Sequence, residues 1–311
     1  MNRDGYLSRE PALQRLFEAA FHRPLAAGVL PWRYAQNPVG DVQVELLEDG
    51  GEILAHYGSS GVEFRRGEER LLGGLVGAAM THPSLQGKGV FQKLGRRHEE
   101  AARAAGYDFL FAFPHPNRHT DAIFVWKLGW EAVNDLPTQY FDLQNAQPRE
   151  VTIEFDDAFS RFNYDEAIDR DGLFAAARTT SYLQWRYRDN PTNHYRNVVM
   201  SDADGLRAYA IVKFYAPGGV SYADVVDHYA ENEETIPQLF EHVLEFCRAE
   251  GCRGVNVWTV RHHPVRHVLA RLGFTVQLPV TYVSFRPLTP AGETLRQFAN
   301  WWLTMGDSDV Y

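Results

Sequence analysis

The sequence predicts an α+β protein built from two tandem domains. Three observations carry that expectation. The chain has 311 residues, enough for two domains of about 150 residues each. One residue string occurs twice. Strand-like and helix-like segments follow one another in the same order in both halves.

The repeated string is W-R-Y-x-x-N-P. Trp32-Arg33-Tyr34 leads to Asn37-Pro38, and Trp185-Arg186-Tyr187, 153 positions later, leads to Asn190-Pro191. Ala105-Gly106 precedes the apolar run Phe109 to Phe113, as Glu250-Gly251 precedes Val255 to Trp258. Leu128-Gly129-Trp130 is echoed by Leu272-Gly273-Phe274. Three matches in register point to duplication, and a period near 150 residues is that of a domain rather than a solenoid repeat. The polar, proline-containing stretch Ala146 to Glu150 sets the expected boundary, giving domains 1–147 and 148–311.

Residues 8–20 carry Leu13, Leu16, Phe17 and Ala20 at helical spacing, with Ser8 as the expected N-cap. Asp49-Gly50-Gly51 turns between strand-like runs, and 52–64 and 70–80 form two long strands about Arg66-Gly67-Glu68-Glu69. A helix is expected over 89–105, a buried strand over 108–113, a helix over 119–128 and a strand over 137–143. In the second half, helices are expected near 166–177, over 235–250 and over 264–271. A hairpin is expected about Ala216-Pro217-Gly218-Gly219, and a strand over 254–260. Ile236, Leu239, Phe240, Val243, Leu244 and Cys247 give the long helix an apolar stripe.

Charge and composition remove several function classes. Hydrophobic residues make up 45% and charged residues 23%, as in folded proteins generally. The net charge is -9 and no run of Lys or Arg offsets it, which argues against a surface that tracks nucleic-acid phosphates. The two cysteines, Cys247 and Cys252, read as small buried residues, too few for a disulfide framework or a zinc set. No run approaches 18 apolar residues and the N-terminus lacks a secretory apolar core, so the expectation is a cytoplasmic protein without a membrane span.

The chemistry concentrates in one loop. After the strand ending at Met80 come Thr81-His82-Pro83-Ser84-Leu85-Gln86-Gly87-Lys88-Gly89-Val90, and then a helix. A strand, a glycine-containing loop and a helix N-terminus make an anion site: backbone N–H groups point outward and the helix dipole favours negative charge. Gly87 and Gly89 let backbone approach a phosphate, and Lys88 adds a cation. The string matches neither the P-loop nor the dinucleotide-binding glycine pattern.

Gln86 to Phe91 resembles the Q/R-x-x-G-x-G/A pyrophosphate loop of the GNAT (GCN5-related N-acetyltransferase) family. The buried run Phe109 to Phe113, Pro116-Asn117 and Leu128-Gly129-Trp130 follow in that family's order. With the two W-R-Y strings and the tail Trp301 to Asp309, the chain is similar to a tandem subgroup of presumed acyltransferases. The resemblance implies two GNAT-like domains, each a mixed, mostly antiparallel twisted sheet flanked by helices. It implies acetyl-CoA or another acyl-CoA as co-substrate, no metal, a small-molecule amine as acceptor and a homodimer through sheet edges. The residues it assigns to the cofactor are Met80, Thr81, His82, Gln86, Gly87, Lys88, Gly89, Val90, Phe91 and Asn117. The oxyanion donor is expected near Met80 to His82.

Two positions depart from the family pattern. Phe91 stands where Gly or Ala is usual, and Val125 stands where many members carry a tyrosine that protonates the leaving thiolate. Candidate bases are His82, His115, His119 and Glu63, with Tyr57, Asp307 and Asp309 behind them. In the second half, Asp227 to Leu239 holds no glycine and four acidic residues, so that half is expected not to bind CoA and to serve as a lid or substrate wall. The cluster His262-His263-Pro264-Val265-Arg266-His267 reads as a polar helix start. The leading function is an N-acyltransferase acting on an amino sugar, amino acid or metabolite amine. The alternatives are a non-catalytic acyl-CoA sensor or scaffold, and a long-chain acyltransferase served by an acyl carrier protein, which would need an apolar channel beside Phe109, Phe111 and Phe113.

Overall fold

A computed structural model describes residues 1–114, 123–145, 147–166 and 172–311. The chain divides into two compact units. The first comprises Met1–Asn134, Asn190–Thr192 and Tyr282–Asn300; the second comprises Asp135–Asp189, Asn193–Thr281 and Trp301–Tyr311.

In the first unit, α1 (Arg3–Leu7) and α2 (Glu10–Phe21) precede a π-helical turn at Pro31–Ala35 that holds the first W-R-Y string. Ser8 does not cap α2. It keeps helical backbone angles as the last position of α1 and bonds the Gly5 carbonyl, which leaves Arg9 as an N-cap without a side-chain bond. Strands β1 (Gln43–Asp49), β2 (Glu52–Arg66) and β3 (Glu69–Thr81) form an antiparallel meander. Helix α3 (Val90–Ala104) then leads to β4 (Phe109–Ala112), which runs parallel to β3, and β5 (Glu131–Asp142) follows.

β2 is buried along nearly its whole length because the sheet is covered on both faces. Ala55 and Tyr57 pack with Leu94 and Ala102 of α3, while Ile53 packs with Leu13, Leu16 and Phe17 of α2. β3 lies close against β4 at Gly73, where a Cβ would stand 2.5 Å from the Phe109 ring. The sheet gains a further antiparallel strand from far along the chain: Ser284 to Pro287 pair with Ala112 to Phe109.

In the second unit, β6 (Glu154–Phe155), β7 (Ala175–Ala176), β8 (Tyr195–Asp202), β9 (Gly205–Tyr215) and β10 (Tyr222–Ala230) precede the helix Thr235–Ala249. β11 (Gly254–Trp258), the helix Val265–Leu272 and β12 (Thr275–Pro287) follow. β6, β8, β9 and β10 are antiparallel neighbours, β11 is parallel to β10, and residues 138–142 of β5 pair antiparallel with β11. The apolar stripe of Thr235–Ala249 is buried as expected, and Cys247 and Cys252 are buried free thiols.

One expectation is corrected. Of the segment near 166–177, residues 172–177 form no helix. Ala175–Ala176 is a strand, and Phe174 forms a parallel bridge with Trp301, so backbone pairing overrides an alanine-rich run. The compact units are not contiguous in sequence. The end of β5 is paired in the second unit's sheet and the end of β12 in the first's.

The two halves of the sequence share local details. The second W-R-Y string also sits on a π-helical turn, Gln184–Arg188. Asn37 Oδ1 accepts from the Val39 amide at 2.8 Å, and Asn190 Oδ1 accepts from the Thr192 amide at 3.0 Å. Parallel pairing of β3 with β4 ends at Leu75 and Phe111, and that of β10 with β11 ends at Val225 and Val257. Just beyond, each strand's antiparallel register shifts, between His56 and Gly58 in one unit and between Val225 and Asp227 in the other.

Candidate active site

Beyond Leu75 the first unit's two parallel strands cease to pair, and β3 continues to Thr81 alone on that edge. The edge opens on a cleft of about 610 Å³. Ala20 and Phe21 of α2 wall one side, Ala79, Met80 and Thr81 of β3 the floor, and Leu85 to Gly87, Gly89 to Gln92 and Lys127 the rest.

The loop is shaped by its own sequence. Pro83–Leu85 forms a single 3-10 turn, whose Ser84 amide donates to His82 Nδ1 at 3.3 Å. The Gln86 side-chain amide donates to the Thr81 carbonyl at 3.4 Å. Gly87 and Gly89 both have φ of 74°, and a Cβ at either would meet no atom within 4 Å. α3 starts directly after Gly89, which offers no side-chain cap. The first-turn amides of Val90, Phe91 and Gln92 therefore have no intrahelical acceptor, and none meets another protein acceptor among the described residues. Open amides, a helix N-terminus and exposed Lys88 fit a diphosphate by geometry and charge.

The floor is set by a break in β3. Ala78 has φ of 46°, uncommon for a residue with a side chain. The Ala78 carbonyl accepts from His56 Nδ1 at 3.0 Å, and the Gly77 carbonyl accepts from the Tyr34 hydroxyl at 2.7 Å. His56 Nε2 lies 3.1 Å from the Tyr6 hydroxyl. Burial pushes the His56 imidazole down to about 4, so it is neutral near pH 7, with one N–H to donate and one nitrogen to accept.

The sequence-predicted residues are distributed unevenly. Met80, Thr81, Gln86, Gly87, Gly89, Val90 and Phe91 line the cleft, with Lys88 between the two glycines. His82 does not line it: its amide donates to the Leu54 carbonyl at 2.9 Å and its ring caps the 3-10 turn. That bond also fixes which amides are available. Strand alternation turns the Met80 amide toward β2 with that of His82, and leaves Ala79 and Thr81 facing the open edge. Of the span Met80 to His82, only Thr81 turns its amide to that edge, beside Ala79.

Glu63 is corrected. It lies opposite Leu72, about 25 Å along the strand from Met80, and is paired with Arg65. Tyr57 is buried in the core against Phe91 and His98, with ring centroids 5.2 and 5.3 Å away, and burial pushes its hydroxyl well above the ordinary range. Asp307 is buried in the second unit on Arg178, and Asp309 belongs to the same tail. His115, Asn117 and His119 lie outside the described residues.

Phe91 does not close the loop. Its ring packs edge-on against Tyr57 and Phe124 and seats α3 on the sheet. Val125 lies on the turn Ile123–Lys127 and supplies no proton. Phe109 and Phe111 are packed by Phe64, at 5.2 and 5.6 Å, and Phe109 also by Phe285 at 5.7 Å, so the ring space beside them is filled. His263 accepts from the Val265 amide at 3.1 Å as a helix-start residue. Among the described residues no group of three or more His, Cys, Asp or Glu could hold a metal ion, and no described helix is long and apolar enough to cross a membrane. Tyr6, His56 and the left-handed Ala78 escaped sequence reading; the one available signal was a histidine inside an otherwise strand-like run.

Comparisons with known proteins bear on this geometry. Residues 7–133 match the family model described as an acetyltransferase (GNAT) domain. No curated protein matches the sequence. Among solved structures, a GCN5-related N-acetyltransferase from Anabaena variabilis is similar with a TM-score of 0.68 at 12% identity, covering 91% of this chain and 71% of that one. A GCN5-related N-acetyltransferase from Kribbella flavida gives 0.66 at 17% identity, covering 94% and 71%. Eis1 from Mycobacterium abscessus gives 0.61 at 14%, covering 90% and 72%. At these identities the likeness is one of fold. Residues 7–133, which hold this strand, open-amide loop and helix, are the part of the chain that is similar to a GNAT acetyltransferase domain.

Proposed function

We propose that the chain is an N-acyltransferase that moves an acetyl or other short acyl group from CoA to the amine of a small molecule. The observation that carries this reading is the set of open amides at Val90 to Gln92, beside the gap where β3 and β4 part company. CoA would bring the acyl group as a thioester. Gly87 to Gln92 would hold its diphosphate, and the parted strands would take its extended arm. Ala79 and Thr81 then present N–H groups where negative charge develops on the acyl oxygen. His82 can take the amine's proton only through Nε2, because Nδ1 already accepts from Ser84. The filled ring space at Phe109 and Phe111 supports a short acyl group over a long chain delivered by a carrier protein.

The chain is further proposed to be a tandem pair in which only the first unit takes CoA. In the second unit, tail residues 304–307 stand at the corresponding strand break. Asp307 and Asp227 share Arg178, and a Cβ on Gly306 would be 2.0 Å from the Tyr187 hydroxyl and 3.1 Å from the Val226 carbonyl. The missing hydroxyl at Val125 favours a second reading, an acyl-CoA sensor without turnover. A thiol-release assay with acetyl-CoA and a pooled amine library, run beside CoA calorimetry, separates the two. Turnover supports the enzyme, binding without turnover supports the sensor, and no heat with any acyl-CoA removes both.

A further inference from the structure

The peptide that faces the cleft floor is held from behind by side chains outside the cleft. Successive carbonyls of a regular strand face opposite edges, but at Gly77 and Ala78 the register against β2 shifts, between His56 and Gly58. There the Tyr34 hydroxyl donates to the Gly77 carbonyl and His56 Nδ1 to the Ala78 carbonyl. A trans peptide points its C=O and N–H in opposite directions. Fixing the Ala78 carbonyl on His56 therefore directs the amide of Ala79, in the same peptide plane, away from His56 and toward the edge that β4 has left. Ala78 sits at positive φ, a conformation disfavoured for an alanine, so the peptide needs such a hold to stay turned.

We infer that His56 is a positioning residue for acyl transfer: oriented by Tyr6, it locks the Ala78–Ala79 peptide so that the Ala79 amide is presented to the developing oxyanion. The inference rests on the acyltransferase reading above. His56 itself is 1% exposed and both ring nitrogens are engaged, so it touches no substrate. Neutrality suits the role. A protonated ring would carry two N–H groups, leaving Nε2 unable to accept from Tyr6. Tyr34 adds a second hold one peptide earlier, and its ring packs edge-on against His56 at 5.2 Å. The loop that would hold the diphosphate is separate, built from Gly87 to Gln92. Acyl-oxygen stabilisation and CoA affinity should therefore respond independently.

The test compares wild type with His56→Leu, His56→Gln and Tyr6→Phe, measuring CoA affinity by calorimetry and kcat and KM by thiol release. His56→Leu should lower kcat by about 100-fold, the scale of losing one oxyanion donor, with CoA affinity within about threefold of wild type. His56→Gln, whose amide can both donate to Ala78 and accept from Tyr6, should recover most of kcat. Tyr6→Phe, which removes only the orienting hydroxyl, should lower kcat by about five- to tenfold and decides the matter if His56→Leu does not fold. An active wild type with unchanged kcat in the folded variants overturns the positioning role and leaves the acyltransferase reading standing. Equal losses of kcat and CoA affinity, or no rescue by His56→Gln, also overturn it. A wild type that binds CoA without turnover overturns both.

Discussion

Arg178 and Asp307 are 129 positions apart in sequence and 2.7 Å apart in space. The same guanidinium is paired with Asp227 and donates to the Thr304 hydroxyl at 3.2 Å, and the three charged groups are almost fully buried. Taking one carboxylate away leaves a buried cation half-matched. Asp307→Ala should therefore cost about 3 kcal/mol of the second unit's stability, read from urea unfolding. Replacing both partners, Arg178→Met with Asp307→Leu, leaves Asp227 as the orphan and should not restore wild-type stability.

Gly89 separates the loop's two tasks. Its φ of 74° is disfavoured for a β-branched residue, and the space around it is empty of protein. Gly89→Val should cost about 1–2 kcal/mol in stability. It should weaken CoA binding by at least about tenfold, a change of about 1.4 kcal/mol, because the new side chain stands where a phosphate would sit. Calorimetry with CoA and thermal melting read the two effects apart.

Acid should loosen the first unit before the second. Burial holds His56 at about 4 and His98 at about 3, against an ordinary value of 6.5. The unfolded chain binds these protons first. The contribution of neutral burial is thus complete above pH 6.5 and is lost as pH falls toward 4, with a slope of up to about 2.7 kcal/mol per pH unit while both titrate. In the second unit Asp224 is raised to about 6 by burial, which has the opposite sign: protonation in the folded state favours folding as pH drops from 6. Hydrogen exchange at pH 7 and pH 5 should show protection falling in β2, β3 and α3 while β9 and β10 hold.

Gly292→Ala probes the late-arriving part of the first unit. A Cβ there would stand 2.1 Å from the backbone oxygen of Asp108, a contact the backbone must move to relieve. That oxygen already accepts from the amides of Leu288 at 2.8 Å and Thr289 at 3.2 Å. A loss of about 1–3 kcal/mol is expected, seen as a lower urea midpoint for the first unit with the second unchanged.

What sequence alone made legible was local. α2, α3 and the helix Thr235–Ala249 show their apolar stripes at helical spacing, and β2 and β3 are bracketed by Gly50-Gly51 and Arg66-Gly67. The loop was readable because Gly87 and Gly89 stand between a strand and a helix. The rest depended on distant pairings. Ala175-Ala176-Ala177 has high helical propensity, yet the neighbouring Phe174 pairs with Trp301, well over a hundred positions away, and extended backbone wins. The turned peptide at Ala78 carries no glycine to announce it, and its holders, His56 and Tyr6, lie 22 and 72 positions upstream. The return of the chain to the first unit was hidden for the same reason: nothing near β4 in sequence reveals that Ser284 to Pro287 will pair with it.

That last pairing has a cost in time during synthesis. When Asn134 leaves the ribosome, the first unit has nearly all of its sequence, but β4 still lacks a neighbour on one edge. At about 5–20 residues per second, the nascent chain needs roughly 7–30 s more to reach Tyr282. Through that interval a short, wholly apolar strand stands with its backbone unpaired, the form of edge on which other chains add. Slower elongation would lengthen that interval and with it the chance of misassembly, even though the finished fold would be unchanged.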